Sequence, residues 1–468
     1  QFFALLAIGL CAAHLCHSGI VWAEEALPAA AAAQMLWGRT LYRDIWFDKP
    51  PMLPATYLLW GAAAGWPLRL AGTVYALLCC WLAWLFGRDL WCEREGRWAA
   101  GLLAFFLTFD IPSAVLPLAA DLLMLAPHFA AIYLAWRGKP FWSGAAAGIA
   151  FLINSKGVFV AGACALWSLR ALPALALGFA LPNIAALGLL VAAGALDAYY
   201  EQVWKWGRVY AAVTFVEHPI RNAFARTGSW LGFHAALAGG ALWCWLRDPK
   251  PLADTQRWRF AGWLALSLGA VALGWRFFPR YFFQLLPAIT LLGARGISIA
   301  PRGVRVALLG VLLIPFVRFG PRYISLAADL ASGHPHEWVD TAMDRDSREA
   351  AGLVRQFARP EDTLFVWGFR PELYVYTGLA SASRFLDSQP VTGVPADRHL
   401  VQSEPLTPAL AASNRKELAQ SRPAIILDGL GLYNPRLAIT QYEDLAAWLA
   451  AYERVGQSRS TVIYRRVR

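Results

Sequence analysis

Charge is what this sequence has least of. Only 16% of its 468 residues are Asp, Glu, Lys or Arg, and 58% are hydrophobic, whereas a soluble domain carries about one quarter charged residues and is about half apolar. That balance excludes an ordinary soluble globule. Most of the chain is expected in a membrane. Cysteine is sparse too, and six of the seven, at positions 11, 16, 79, 80, 92, 164 and 244, sit inside apolar runs. No disulfide framework follows from such a pattern. Acids are outnumbered by bases, 31 to 42, but the bases are scattered between apolar spans instead of massed in a stripe, so a nucleic-acid partner is not expected. No internal repeat is visible, which weakens a transporter reading.

The apolar runs set the topology. Residues 2 to 20 lack an A-x-A-like cleavage signal followed by soluble sequence and are expected to be a retained first span. Residues 53 to 66, led by Pro50 and Pro51 and broken by Gly61 and Gly65, are short for a hydrocarbon core of about 30 Å, so they are expected to stay at the surface. Further spans are expected at 69–87, 98–113, 121–136, 141–154, 157–169, 172–195, 228–246, 259–275, 281–296 and 303–318. This phase puts Arg88, Arg94 and Arg97, then Arg137 and Lys139, then Arg247, Lys250, Arg257 and Arg259 on the inside, as the positive-inside rule requires. The outer loop 196–227 also carries bases, but the opposite phase would translocate every one of those clusters. The expectation is an α-helical polytopic membrane protein with about 11 transmembrane helices.

From about residue 320 charged residues return at soluble density. A domain boundary at 319/320 is expected, with a small external α/β domain beyond it. Its elements are read as a helix over 347–358 capped by Ser347, a strand over 363–367, a short helix over 372–377, a strand over 424–427, helix over 444–451 and a strand over 461–465. It shows no G-x-S-x-G, phosphate loop or zinc spacing. His334, His336 and Glu337 read as a polar linker before they read as metal ligands.

The organising stretch is the first external loop, residues 21 to 68. It opens on Glu24 and Glu25, continues through Gly38, Tyr42, Arg43 and Asp44, and ends on Asp48, Lys49, Pro50 and Pro51. Acids that directly follow an apolar span are costly there unless they have a role; acids at a helix start are also a plain favourable interaction with its dipole. Asp121, at the head of a later apolar run, is either a cap or a second site acid. Lys49, Lys156, Arg276 and Arg280, the last beside Tyr281, all fall at the outer interface on this topology. Each alone reads as a snorkelling anchor. Together they suit a lipid-linked phosphate at that level.

An acidic pair, a helix, G-x-x-x-Y-R-D and K-P-P in this order resemble the first external loop of the GT-C class of membrane glycosyltransferases. The likeness is to the polyprenyl-phosphate-sugar branch, which includes protein O-mannosyltransferases and lipid A aminoarabinose transferases. Lys156-Gly157, the run 196–200, Arg276-Phe277 through Tyr281, Leu285-Leu286-Pro287 and Trp367-Gly368 with Pro371-Glu372 and Tyr374 resemble further landmarks in family order. The resemblance implies a GT-C fold in residues 1–319 and a sugar moved from a polyprenyl-phosphate donor to a glycan, lipid or protein acceptor. It implies a general base at Glu24 or Glu25, a second acid at Asp121, and donor phosphate contacts from Lys49, Lys156, Arg276, Arg280 and Tyr281. Tyr42, Arg43 and Asp44 would organise the loop. Relatives usually carry Asp at the position of Glu24 and often His at that of Arg280. Inversion and a hexosyl or pentosyl group would fit, as would a bacterial inner membrane with the site facing the periplasm. No soluble cofactor is implied, and a divalent metal is compatible with the family without a ligand cluster that demands it. The rivals are a flippase for lipid-linked sugars and a non-catalytic envelope scaffold.

Overall fold

The computed structural model describes residues 1–109, 116–213, 216–248, 254–333 and 336–467. The chain begins with α1 (Phe2–Leu15), α2 (Ala23–Leu36), α3 (Met52–Tyr57), α4 (Trp66–Leu90) and α5 (Glu93–Phe106). Next come α6 (Ala120–Leu123), α7 (Leu125–Trp136), α8 (Pro140–Ile153), α9 (Gly157–Ser168) and α10 (Leu172–Ala192). The helical part closes with α11 (Leu196–Tyr199), α12 (Trp206–Ala212), α13 (Pro219–Phe233), α14 (Ala235–Arg247), α15 (Asp254–Ala272), α16 (Leu286–Ile299), α17 (Arg302–Gly310) and α18 (Leu313–Ser332).

Three helical runs among the described residues are long and apolar enough to cross a membrane: Trp66–Leu90, Gly157–Ala192 and Arg302–Ser332. Shorter apolar helices include Phe2–Leu15, Ala120–Trp136, Pro140–Ile153 and Leu286–Ile299. Leu177, Leu181, Ile184 and Val191 lie exposed along α10. An uncovered apolar stripe of that kind belongs against lipid. Close helix contacts rest on small residues, because in lipid the helices associate by packing and not by the exclusion of water. A Cβ added at Gly144 of α8 would stand 2.0 Å from the carbonyl oxygen of Leu175, and one at Gly178 of α10 would stand 1.9 Å from that of Phe141. The two backbones therefore touch, and any side chain there would force them apart.

Several helix boundaries differ from the sequence expectation. The short Pro-led helix ends early: α3 and one 3-10 turn reach only Trp60, and Gly61 closes them in the left-handed region at φ 67°. The expected span over 228–246 is two helices that meet at His234, whose Nδ1 turns back to the Trp230 carbonyl at 3.0 Å. The boundary expected at 320 falls inside α18, which continues as an amphipathic helix to Ser332. Charge density rose before the helix ended because its outer turns carry Arg318, Arg322 and Asp329 on an otherwise apolar helix.

The C-terminal domain comprises α19 (Ala342–Arg355), β1 (Thr363–Trp367), α20 (Glu372–Thr377), β2 (Ala380–Ser381), α21 (Gln389–Thr392) and α22 (Pro408–Leu418). It ends with β3 (Ile425–Asp428), α23 (Ala446–Leu449), β4 (Tyr452–Gln457) and β5 (Val462–Arg466). One sheet runs in the order β2-β1-β3-β5-β4, with β2, β1 and β3 parallel and the last two pairings antiparallel. Residues 364–367 of β1 and 425–427 of β3 are apolar runs because both of their faces are covered. β4 is a mostly exposed edge, which is why Tyr-Glu-Arg-Val-Gly-Gln gave no strand signal. Ser347 is not the expected cap: it is fully buried inside α19, where its hydroxyl meets Arg370 at 2.8 Å and also Glu372.

This domain is bolted to the stretch between α1 and α4. Gln34 of α2 donates to the Leu379 carbonyl at 3.3 Å and accepts from Ser381 N–H at 2.8 Å. Val21 N–H donates to Asp344 at 3.0 Å, and Trp46 N–H to the Arg384 carbonyl at 2.7 Å.

Candidate active site

The loop that carries the acids is held in shape by buried polar contacts. Tyr42 is fully buried with φ 67°, a conformation unfavourable for a bulky L-residue. It persists because both its ends are fixed. Its hydroxyl donates to the Lys49 carbonyl at 2.7 Å, and its own carbonyl accepts from Gln202 Nε2 at 2.8 Å. The same Gln202 accepts from Phe47 N–H at 2.8 Å, so one side chain braces two strands of the loop. Arg43 pairs with Asp44 at 2.9 Å and reaches the Ala193 carbonyl at 3.2 Å, while Asp44 accepts from Thr40 N–H at 2.9 Å. Tyr42, Arg43 and Asp44 thus sit where a loop-organising role needs them.

The acidic pair divides. Glu25 is 0% exposed and accepts both guanidinium nitrogens of Arg69, at 2.9 and 2.7 Å. It also takes Trp22 N–H at 3.1 Å and Leu118 N–H at 2.8 Å. With these four contacts it joins α2, α4 and the segment before α6. Glu24 faces the other way. It lines a cavity of about 440 Å³ and forms an ion pair with Arg280, while its Oε2 has no hydrogen-bond partner among the described residues.

The cavity collects groups from distant parts of the chain. Glu24 comes from the first turn of α2, Asp48 and Lys49 from the end of the loop, Asp121 from the head of α6, Arg280 and Tyr281 from the 3-10 turn Pro279–Gln284. The C-terminal domain closes it with Phe369, Gln389, Ala396 and Asp397. Leu27, Pro28, Leu53 and Phe278 supply apolar wall. Acids and bases alternate around such a site, the arrangement expected where a proton and a phosphate must be handled side by side.

Lys156 and Arg276 stand behind this lining. Lys156, in the turn between α8 and α9, points its Nζ at the Tyr281 ring, 2.9 Å from the centroid, and lies 3.6 Å from Asp121 Oδ1. Asn154 holds the same Asp121 oxygen at 3.1 Å. Gly157 permits the turn, since a Cβ there would stand 2.3 Å from Phe151 N. Arg276 lies between two residues in the left-handed region, Trp275 at φ 57° and Phe277 at φ 48°. Its guanidinium stacks on Tyr210 at 3.6 Å, donates to the carbonyls of Tyr210 and Val213 at 2.7 and 3.1 Å, and pairs with Asp397 at 3.3 Å.

All the expected cations are therefore in or directly against one cavity, and so are Glu24, Asp121 and Tyr281. Sequence reading missed Arg69, Gln202, Tyr210, Gln389 and Asp397. Asp48 had a signal, its place beside Lys49, to which it pairs at 3.1 Å. The others are single polar residues in ordinary surroundings. His334 lies outside the described residues, and among the described residues no group of three His, Cys, Asp or Glu side chains is placed to hold a metal ion.

No protein-family model matches the sequence, and no curated protein matches it. Solved structures do share its fold. ArnT from Cupriavidus metallidurans bound to undecaprenyl phosphate matches with a TM-score of 0.65 at 15% identity, over 99% of this chain and 97% of that one. Its apo state matches at 0.62 with the same identity and coverage. An oligosaccharyltransferase of Archaeoglobus fulgidus in its apo form is looser, with a TM-score of 0.48 at 14% identity over 94% of this chain and 71% of that one. The likeness to ArnT runs through both the helical part and the C-terminal domain, so the fold implied by the loop motifs is present.

Proposed function

We propose that this chain is an integral membrane glycosyltransferase that moves one sugar from a polyprenyl-phosphate carrier to an acceptor hydroxyl or amine at the outer face of a bacterial inner membrane. The observation that carries the reading is the single cavity in which Glu24 and Asp121 meet Lys49, Arg280 and Tyr281, backed by Lys156 and Arg276. The shared fold adds support, since ArnT was solved with undecaprenyl phosphate bound.

The chemistry follows from the placement. The acceptor attacks the anomeric carbon, the bond from that carbon to the phosphate oxygen breaks with its electron pair leaving on oxygen, and Glu24 takes the acceptor proton. Lys49 and Arg280 face the leaving phosphate, and preorganised cations in a partly dry site stabilise the charge that builds there. One base is enough for a single displacement with inversion, which leaves Asp121 to orient substrate instead of forming a covalent intermediate. Its ties to Asn154 and Lys156 suit that role.

The two ends of α4 support this orientation. Its first turn adjoins the loop that builds the cavity, and near its last turn Asp89 binds Arg137 at 2.8 Å and Tyr133 at 2.7 Å. Arg88, Arg94, Arg97 and Arg137 thus gather at the end away from the site, consistent with a periplasmic cavity and about 11 spans. The test is a donor screen on purified protein that measures release of free polyprenyl phosphate. Release that requires both a polyprenyl-phosphate sugar and an acceptor supports the reading; sugar-lipid movement across vesicles without release would transfer it to a flippase.

A further inference from the structure

The C-terminal domain places an acid on the phosphate side of the cavity. Asp397 lines the cavity, its Oδ2 lies 3.3 Å from Arg276 Nη1, and the Tyr210 hydroxyl donates to that oxygen at 3.0 Å. Arg276 does not need this carboxylate for its orientation, because two backbone carbonyls and the Tyr210 ring already hold it. The contact is also longer than the roughly 2.7–2.9 Å of a strong charge-assisted hydrogen bond. An anion on the cavity surface, loosely paired to a cation just behind it, stands where a phosphate oxygen would have to stand to reach the same guanidinium.

We propose that Asp397 is a positioning residue that neutralises Arg276 in the empty enzyme and competes with the lipid phosphate for it, so that the product is held loosely enough to leave. This rests on the polyprenyl-phosphate reading above. The donor is a phosphodiester with one negative charge. Loss of the sugar turns it into a monoester that approaches two charges near neutral pH. Cations chosen only to stabilise the departing phosphate would grip that product hardest and slow turnover. A carboxylate already beside Arg276 repels the second charge more than the first. Its segment is tied to the membrane part where Arg398 reaches the Val213 carbonyl at 3.4 Å, and within its own domain where Ala396 N–H donates to Gln389 Oε1 at 2.9 Å. The C-terminal domain would thus set product affinity without touching the reacting carbon.

The experiment is binding of a polyprenyl monophosphate to the full chain in detergent micelles, with wild type, Asp397→Asn and Asp397→Ser side by side. Removing one negative charge near the phosphate should tighten binding by about ten-fold in Asp397→Asn. Asp397→Ser, which removes the same charge with a smaller side chain, should tighten it too. A merely structural role would move affinity the other way. Equal or weaker binding in Asp397→Asn, with wild type binding normally, overturns the proposal; if that variant does not fold, Asp397→Ser decides by the same sign. Absence of binding by wild type overturns the lipid-phosphate reading itself, and the proposal with it.

Discussion

Glu25 holds Arg69 through both carboxylate oxygens, 44 residues away in sequence and almost wholly out of solvent. Its chain neighbour Glu24 faces the cavity instead. Two adjacent acids therefore have different surroundings, and stability and turnover measurements can separate them. Removing one partner of a buried pair costs about 3 to 5 kcal/mol, because the other charge is left without compensation. Glu25→Gln and Arg69→Met should each lower the unfolding temperature markedly, and the double variant should lose less than their sum. A double-mutant cycle in detergent measures this coupling; additive losses would mean that the pair is not a unit.

Gln202 should matter to the loop out of proportion to its size. It satisfies Phe47 N–H and the Tyr42 carbonyl at once, and a buried backbone group left without a partner costs about 1 to 3 kcal/mol. Gln202→Ala is expected to speed proteolytic cleavage between residues 38 and 51 and to reduce activity, with little change at the far end of the bundle. Limited proteolysis with mass analysis reads both.

Lys49 and Arg280 line the cavity. A hydrogen bond to a charged group contributes about 1.5 to 3 kcal/mol, so Lys49→Ala and Arg280→Ala should each weaken polyprenyl-phosphate binding, roughly ten- to hundred-fold. Titration of both variants in micelles checks it. Unchanged affinity in both would return these residues to the status of membrane anchors.

Asp387 gives a pH dependence of defined sign. It lies in the C-terminal domain, and burial, with the charge of Asp48 adding to it, pushes its carboxyl up to about 7 despite a hydrogen bond from Gln389 N–H at 2.7 Å. In the unfolded chain the same group titrates near about 3.9. Between those values the folded state binds the extra proton, so this group's contribution is fully present at low pH and is lost as pH rises through about 7. Asp387→Asn should therefore raise thermal stability at pH 8 and change it little at pH 4. Equal effects at both pH values would show that its ionisation does not matter.

Cys92 is an exposed native reporter just past the end of α4, near where Asp89 of α4 pairs with Arg137 after α7. In a variant that retains it as the only cysteine, a membrane-impermeant thiol reagent should fail to label intact cells and should label them once permeabilised. Labelling of intact cells would invert the orientation.

The sequence was most legible where function forces residues close together in the chain. The acidic pair, Tyr42-Arg43-Asp44 and Lys49-Pro50-Pro51 announce the loop, and β1 and β3 announce themselves because both their faces are buried. What could not be read is what depends on distant partners. Nothing in Arg69 or Gln202 advertises Glu25 or Tyr42, and nothing in Asp397 advertises Arg276, because each is an isolated polar residue whose meaning is the group it meets after folding. The choice between Glu24 and Glu25 was open for the same reason. The approach of α4 is what distinguishes them in the fold, by pairing Arg69 with one of the two acids.

The central claim is that Glu24 takes the proton. Glu24→Gln keeps size and hydrogen-bonding capacity but cannot act as a base, so turnover of purified protein, followed as polyprenyl phosphate released from a polyprenyl-phosphate sugar in the presence of acceptor, should fall by about 10² to 10⁴ while affinity for polyprenyl phosphate and thermal stability are kept. Undiminished release by Glu24→Gln in a folded, ligand-binding protein would contradict the account.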